Sequence, residues 1–362
     1  MKRRAFLTSA AVGAAAGATH LAAPAVAKRV FEWKMVMPWP RNAPGVGVNA
    51  ERLAKRITEM SGGRLQIRLF AGGELVPPFE SFEAVRTGTA DLLHGTPYYW
   101  VSKADLFQYF TAIPFGMTAT EFSAWLYYGG GQALWDEAYA DFGLKPFYAG
   151  NSGVQAGGWF RREIDTMADF AGLKIRIAGL GGEVLRRAAA VVVLLPPGDI
   201  VPAMQSGAID AAEWVGPWND LAFGLPKVAP YYYLPAFHEP GAALELSVNK
   251  EKYDALPADL RAIVSAAASS LANETLADFT FHNTQSLPAV LDVHDVKLRQ
   301  FPDEVVESLG ALTREVLEEL WKDSGLAARV HRSYMAFLKF SRDYSGHFDE
   351  TMLRHRRLAW GE

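Results

Sequence analysis

Apolar and polar positions along the chain change period in a regular order. FEWKMVM (31–37) alternates, as a half-buried strand does, and GVNAERLAKRITEMSGG (47–63) is apolar at helical spacing and stops at a glycine pair. RLQIRLFA (64–71) is again strand-like, PFESFEAVRTG (78–88) predicts a helix ending at glycine, and ADLLHG (90–95) reads as a buried strand. This β-α-β-α-β order predicts a parallel sheet with helices on both faces. The interval between Phe110 and Asp141 is mostly helical in pattern. The strand grammar then returns. LKPFYAGN (144–151), QAGGWF (155–160), LKIRIAG (173–179), VVVLL (191–195) and AIDAAEW (208–214) read as strands, with helices at about 181–190 and 199–207. Two such runs predict two α/β lobes facing each other.

From about Asp254 the pattern is almost wholly helical. Residues 259–287 are long and alanine-rich, and 303–325 and 328–345 are amphipathic. After the alternation at ALELSVN (243–249), only VHDVKLR (293–299) holds a further short strand candidate. The expected division is residues 28–150 mainly in lobe I, 151–250 mainly in lobe II, and 251–362 as a helical region packed over both. Its length agrees with roughly two domains.

The N-terminus changes the count. Lys2, Arg3 and Arg4 precede a short Ala/Gly/Leu/Val-rich run that ends at Ala25-Val26-Ala27, the layout of a cleavable export signal. The arginine pair before Phe6-Leu7 resembles a twin-arginine signal, which implies export in the folded state. The expected location is therefore periplasmic, and residues 1–27 take no part in the fold. The 362-residue chain has a formal charge of −4; losing the three cations Lys2, Arg3 and Arg4 with the leader makes it −7. A mildly acidic surface is a poor partner for nucleic acid or an anionic membrane. There is no cysteine, so thiol catalysis, disulfides and thiolate metal sites are excluded. The eight histidines form no zinc-type spacing.

The chemistry concentrates in a few stretches. AAEWVGPW (211–218) sets Glu213 among apolar and small residues, where an unpaired carboxylate is costly. Glu239 in PYYYLPAFHEPG (230–241) has a similar setting. Arg176 sits inside an apolar strand just before Gly179, Gly181 and Gly182. It is either a bidentate carboxylate clamp beside a helix N-terminus or an edge-strand arginine with a solvated head. Asn151 and Gln155 lie in a glycine-rich loop after a strand end, as ligand-binding amides or as turn residues. Tyr98, Tyr99 and Trp100 follow the ADLLHG strand and fit an aromatic wall or ordinary core. Arg161 and Arg162 read as solvent-facing or structural, and His94 and His238 as structural. A glycosidase pair of Glu213 and Glu239 lacks the polar sugar cleft it would need. There is no G-x-S-x-G elbow, P-loop or dinucleotide fingerprint.

FAGGELVPPFESFEAVRTGTADL, MADFAGLKIRIAG and PPGDIVPAMQSGAIDAAEW, in this order, resemble the extracytoplasmic solute-binding proteins of TRAP transporters, the DctP-like family. GGWFRREI, AAEWVGPWND, KVAPYYYLPAFHEPG and the YYW segment are similar to its 2-oxo acid branch. The resemblance covers essentially the whole mature chain. It implies a two-lobed α/β fold with mixed sheets, a connecting helix and a C-terminal helical layer, and no catalysis. Tyr98, Tyr99, Asn151, Gln155, Arg176 and Trp214 would bind a small organic acid, with Arg176 on the carboxylate. Gln155, Glu213, Glu239 and the Trp214 carbonyl would hold a bridging cation, sodium ahead of calcium. It further implies membrane permease subunits as partners and a homodimer formed through a long C-terminal helix. A lactate or dicarboxylate receptor and a secreted carboxylate-processing enzyme are the alternatives. One departure stands out: LRRAAAVVVLLPPGD has alanines at 188–190 where the family commonly has a glycine.

Overall fold

The computed structural model describes residues 29–321 and 325–361. The predicted export signal, residues 1–27, lies outside them. Eleven strands run along the described residues: β1 (Phe31–Val36), β2 (Leu65–Phe70), β3 (Leu92–Gly95), β4 (Leu144–Asn151), β5 (Gly158–Phe160), β6 (Lys174–Arg176), β7 (Val191–Val193), β8 (Ala211–Ala212), β9 (Tyr231–Tyr233), β10 (Ala243–Asn249) and β11 (Lys297–Arg299). They form two sheets, ordered β2-β1-β3-β10-β4 and β11-β9-β5-β8-β6-β7.

The predicted start holds: β1 pairs in parallel with both β2 and β3. The first sheet is nevertheless mixed, because β10 inserts antiparallel between β3 and β4. This corrects two expectations. The sheet is not purely parallel, and β4 and β10 belong to the first sheet although β10 falls within 151–250. Both strands are buried on both faces (Leu144–Asn151 and Ala243–Val248 are almost wholly buried). Such a run signals a central strand but carries no information about its neighbours. The second sheet is mixed too, with β6 parallel to β7 and β8, and β5 antiparallel to β8 and β9.

The chain therefore passes between the sheets three times: from β4 to β5, from β9 to β10, and through the helix Ala258–His294 to β11. That 37-residue helix packs its Leu260, Val264 and Leu271 against Met35, Phe147 and Leu246 of the first sheet. Farther along, Phe279 and His282 meet Trp218, whose ring stacks on His282 at 4.1 Å. Near its middle the helix crowds Gly45. A Cβ there would come within 2.3 Å of the Phe279 ring, and Gly45 has φ +65, so glycine is required twice over. The helices Asp303–Leu320 and Leu326–Ser345 cover the lobes, and Thr351–Trp360 extends beyond them with no buried residue.

Candidate functional site

β6 and β8 are parallel neighbours, so their carboxyl ends share one edge, the usual place for a ligand in an α/β sheet. Arg176 ends β6 opposite Ala212, and Glu213 and Trp214 follow directly after β8. The Glu213 N–H donates to the Arg176 carbonyl at 2.9 Å, which extends the ladder by one step and aligns the two side chains. Arg176 Nη1 then donates to Glu213 Oε2 at 2.8 Å and to the Glu213 carbonyl at 2.7 Å. Nε donates to the Leu195 carbonyl, and Nη2 reaches the Tyr99 hydroxyl at 3.5 Å. The guanidinium lies 5.6 Å from the Trp214 ring centroid. Arg176 is 1% exposed, so the solvated-head alternative is excluded. Burial is the largest influence and disfavours its charge, but Glu213 together with Tyr99 and Tyr98 raises its pKa above the ordinary value.

The first two crossings run side by side and bring in the next group. The Gln155 N–H donates to the Glu239 carbonyl at 3.1 Å, the Ala236 N–H to the Gln155 carbonyl at 2.9 Å, and the Ser152 N–H to the Ala242 carbonyl at 3.0 Å. Asn151 fastens this pair: its Oδ1 accepts from the Gly153 N–H at 2.8 Å and its Nδ2 donates to the Gly241 carbonyl. Gln155 Nε2 donates to Ser152 Oγ at 2.8 Å, while its Oε1 has no hydrogen-bond partner. Glu213 Oε1 and both carboxylate oxygens of Glu239 are likewise buried without partners. Burial pushes the Glu239 carboxyl well above the usual range and Glu213 adds to this; Arg176 and the nearby Tyr98 and Gln155 pull it back. Three carboxylate oxygens and an amide oxygen, all buried without a hydrogen-bond partner, form a set of hard oxygen ligands that a cation would satisfy.

His238 belongs to the same cluster. Its Nε2 is 3.9 Å from Glu213 Oε1, both ring nitrogens are buried without partners, and ligand atoms of Glu213, His238 and Glu239 lie within 4.8 Å of one another. From sequence alone His238 reads as structural. The signal was its place beside Glu239 at a crossing. His94, treated the same way, is elsewhere: it is buried in β3 against the Trp39 ring at 5.5 Å, and burial lowers it to about 4.

The first lobe supplies Tyr98 and Tyr99 from the turn Pro97–Trp100 after β3, their rings 5.0 Å apart. Tyr98 faces the helix Gly179–Arg187, where a Cβ on Gly179 (φ +64) would sit 3.1 Å from its ring. Asn219 Nδ2 donates to the Pro44 carbonyl at 2.7 Å, a second contact across the cleft. Between these contacts lies a cavity of about 20 Å³, lined by Tyr98, Tyr99, Gln155 and Trp214 together with Trp39, Thr96 and Ser152. No lysine or arginine is among its lining residues. A wider crevice of about 590 Å³, between Ile113–Phe115 and the C-terminal helices, holds none of the site carboxylates.

Residues 35–324 match the family model for bacterial extracellular solute-binding protein family 7, DctP. The chain belongs to that family. It is a TRAP-type periplasmic solute-binding protein. It is 37% identical over 345 residues to a monocarboxylate 2-oxoacid-binding periplasmic protein of a Nostoc species, covering 94% of each chain. A TRAP solute-binding protein from Pseudoalteromonas atlantica with bound sodium and pyruvate superposes with a TM-score of 0.88 at 37% identity, over 90% of this chain and 99% of that one. One from Bordetella bronchiseptica, a mixed-occupancy dimer with copurified calcium and picolinate, gives 0.90 at 32% identity over 92% and 99%. The two-lobed α/β fold with mixed sheets is thus the family's fold.

Proposed function

We propose that this TRAP receptor binds a short 2-oxo monocarboxylate, pyruvate or a close homologue, through Arg176 and a bridging sodium or calcium ion. Gln155 Oε1, Glu213, Glu239 and the Trp214 carbonyl hold the cation; Tyr98, Tyr99, Asn151 and Trp214 shape the ligand's surroundings. The observation that carries this reading is the set of buried carboxylate and amide oxygens with no protein donor. The cation would supply their missing partner and accept the keto oxygen and one carboxylate oxygen of the acid. With a monocarboxylate bound, one arginine and two glutamates leave an excess of two negative charges. A divalent ion cancels this excess, and sodium halves it.

The site works by closing, not by bond making, and the closed form is what the permease subunits recognise. We further assign export to the twin-arginine-like leader. Dimerisation is assigned to the C-terminal helical run from the end of Leu326–Ser345 through Thr351–Trp360, where Phe340, Tyr344, Phe348 and Met352 recur every four residues and are exposed.

Glu239→Gln tests the cation site. The substitution keeps an oxygen ligand but removes a charge. Pyruvate affinity at a fixed cation concentration should fall at least tenfold while the unfolding midpoint holds or rises. Unchanged affinity would remove Glu239 from the site.

A further inference from the structure

The turn after β8 can be accounted for carbonyl by carbonyl. The Glu213 carbonyl accepts from Arg176 Nη1, the Val215 carbonyl from the Ala156 N–H at 2.9 Å, and the Gly216 carbonyl from the Asp220 N–H at 2.9 Å. The Trp214 carbonyl alone in this turn receives no donor from the described residues. Its direction is set nonetheless. In a trans peptide the C=O of one residue and the N–H of the next share a plane and point opposite ways. The Val215 N–H donates to Asp220 Oδ1 at 3.2 Å, and the Gly216 N–H donates to the same oxygen at 3.2 Å.

Asp220 is itself held from the other side. Its Oδ2 accepts from Trp159 Nε1 at 2.9 Å and from the Tyr232 hydroxyl at 2.8 Å, and those two rings stack at 4.1 Å. The residue is fully buried. Four donors converge on one side chain, a demand that an acceptor-only carboxylate meets and an amide cannot.

We propose that Asp220 is the positioning residue of the cation site: by gripping the Val215 N–H it fixes the Trp214–Val215 peptide plane and presents the Trp214 carbonyl as a ligand. This rests on the cation reading above. Outer partners of this kind typically change metal affinity by about 10–100-fold. Asp220 is buried and hydrogen-bonds none of Arg176, Glu213 or Glu239, so its effect falls on the carbonyl it orients rather than on the arginine.

The test compares Asp220→Asn with Tyr232→Phe, which removes one Oδ2 partner and leaves both backbone donors on Oδ1. Calcium is titrated into each protein at fixed pyruvate. Asp220→Asn should raise the half-saturating calcium concentration at least tenfold, and Tyr232→Phe less than threefold. Equal shifts in the two variants would overturn the proposal. A wild type that binds pyruvate with no cation would overturn the cation reading, and this inference with it.

A measurement on the unaltered protein covers the case in which Asp220→Asn does not fold. Tryptophan labelled at the carbonyl carbon and valine labelled with ¹⁵N mark only the Trp-Val pairs 100–101 and 214–215. One carbonyl should shift on adding calcium, while its valine amide proton stays at the low field it already had. Two stationary carbonyls, or an amide that moves to low field only with calcium, would contradict preset positioning.

Discussion

Arg176 is a buried cation whose guanidinium is held by Glu213 through both its side chain and its carbonyl. The sequence placed a guanidinium in an apolar strand and two glutamates in apolar loops, and all three meet in one buried cluster. Their partnership is implied only by the family resemblance and not by the residue pattern, because it depends on β6 and β8 being neighbours and on two crossings lying side by side. His238 was missed for the same reason. Arg176→Ala should abolish pyruvate binding while the fold persists, as read by circular dichroism and titration; affinity retained within a few-fold would show that Arg176 is not the clamp. The alanine-rich segment was noted as a departure, and its consequence is now visible. Ala189 adopts φ +64 in a Schellman turn, in which the Ala190 N–H reaches the Leu185 carbonyl and the Ala189 N–H the Arg186 carbonyl. A Cβ in that conformation costs about 1–2 kcal/mol. Ala189→Gly should therefore stabilise the protein by about 1 kcal/mol in urea unfolding, net of glycine's own entropy cost of about 0.5–1 kcal/mol. No gain would mean the turn tolerates its side chain.

At the scale of elements, period and glycine stops located most strands and helices to within a few residues. What they could not supply was partnership. β10 has the same buried pattern whether it joins the first sheet or the second, and only its antiparallel register with β3 and β4 decides. That assignment makes β9-to-β10 a crossing, and so places Glu239 at the hinge beside Gln155. Residues 259–287 read as one long alanine-rich helix, but the role of Ala258–His294 as a strut from Met35 to Trp218 needed the tertiary contacts. The Gly45–Phe279 contact is the tightest point of that strut. Gly45→Ala should cost roughly 2 kcal/mol or more, from overpacking plus a Cβ at positive φ. Thermal unfolding would register it as a drop of several degrees, and an unchanged midpoint would mean that the ring moves aside freely.

For the whole molecule, lobe closure, assembly and pH response follow from buried and exposed extremes. Leu358 and Trp360 are 71% and 79% exposed on a helix with no buried residue. Leu358→Glu should convert a dimer to a monomer by light scattering, and a dimer that survives would move the interface elsewhere. Glu245 in β10 is fully buried, and its oxygens accept from Trp100 Nε1 at 2.6 Å and Ser247 Oγ at 2.5 Å. Burial raises its pKa from 4.5 to about 7, against the pull of those donors. The folded state then holds a proton that the unfolded chain releases near 4.5. Its contribution to stability is full below that value and lost as pH rises to about 7, a change of about 3 kcal/mol. Glu245→Gln should remove that part of the difference in unfolding free energy between pH 5 and pH 8. The same difference in both proteins would exclude Glu245 as its source. The central claim, a 2-oxo acid held between Arg176 and a cation, is tested most directly by titrating pyruvate into denatured and refolded protein while following tryptophan fluorescence. The titration is run in sodium, in calcium, and in potassium with a chelator. Tight saturable binding in sodium or calcium, lost in chelated potassium, is the predicted result; equal binding in all three buffers would contradict it.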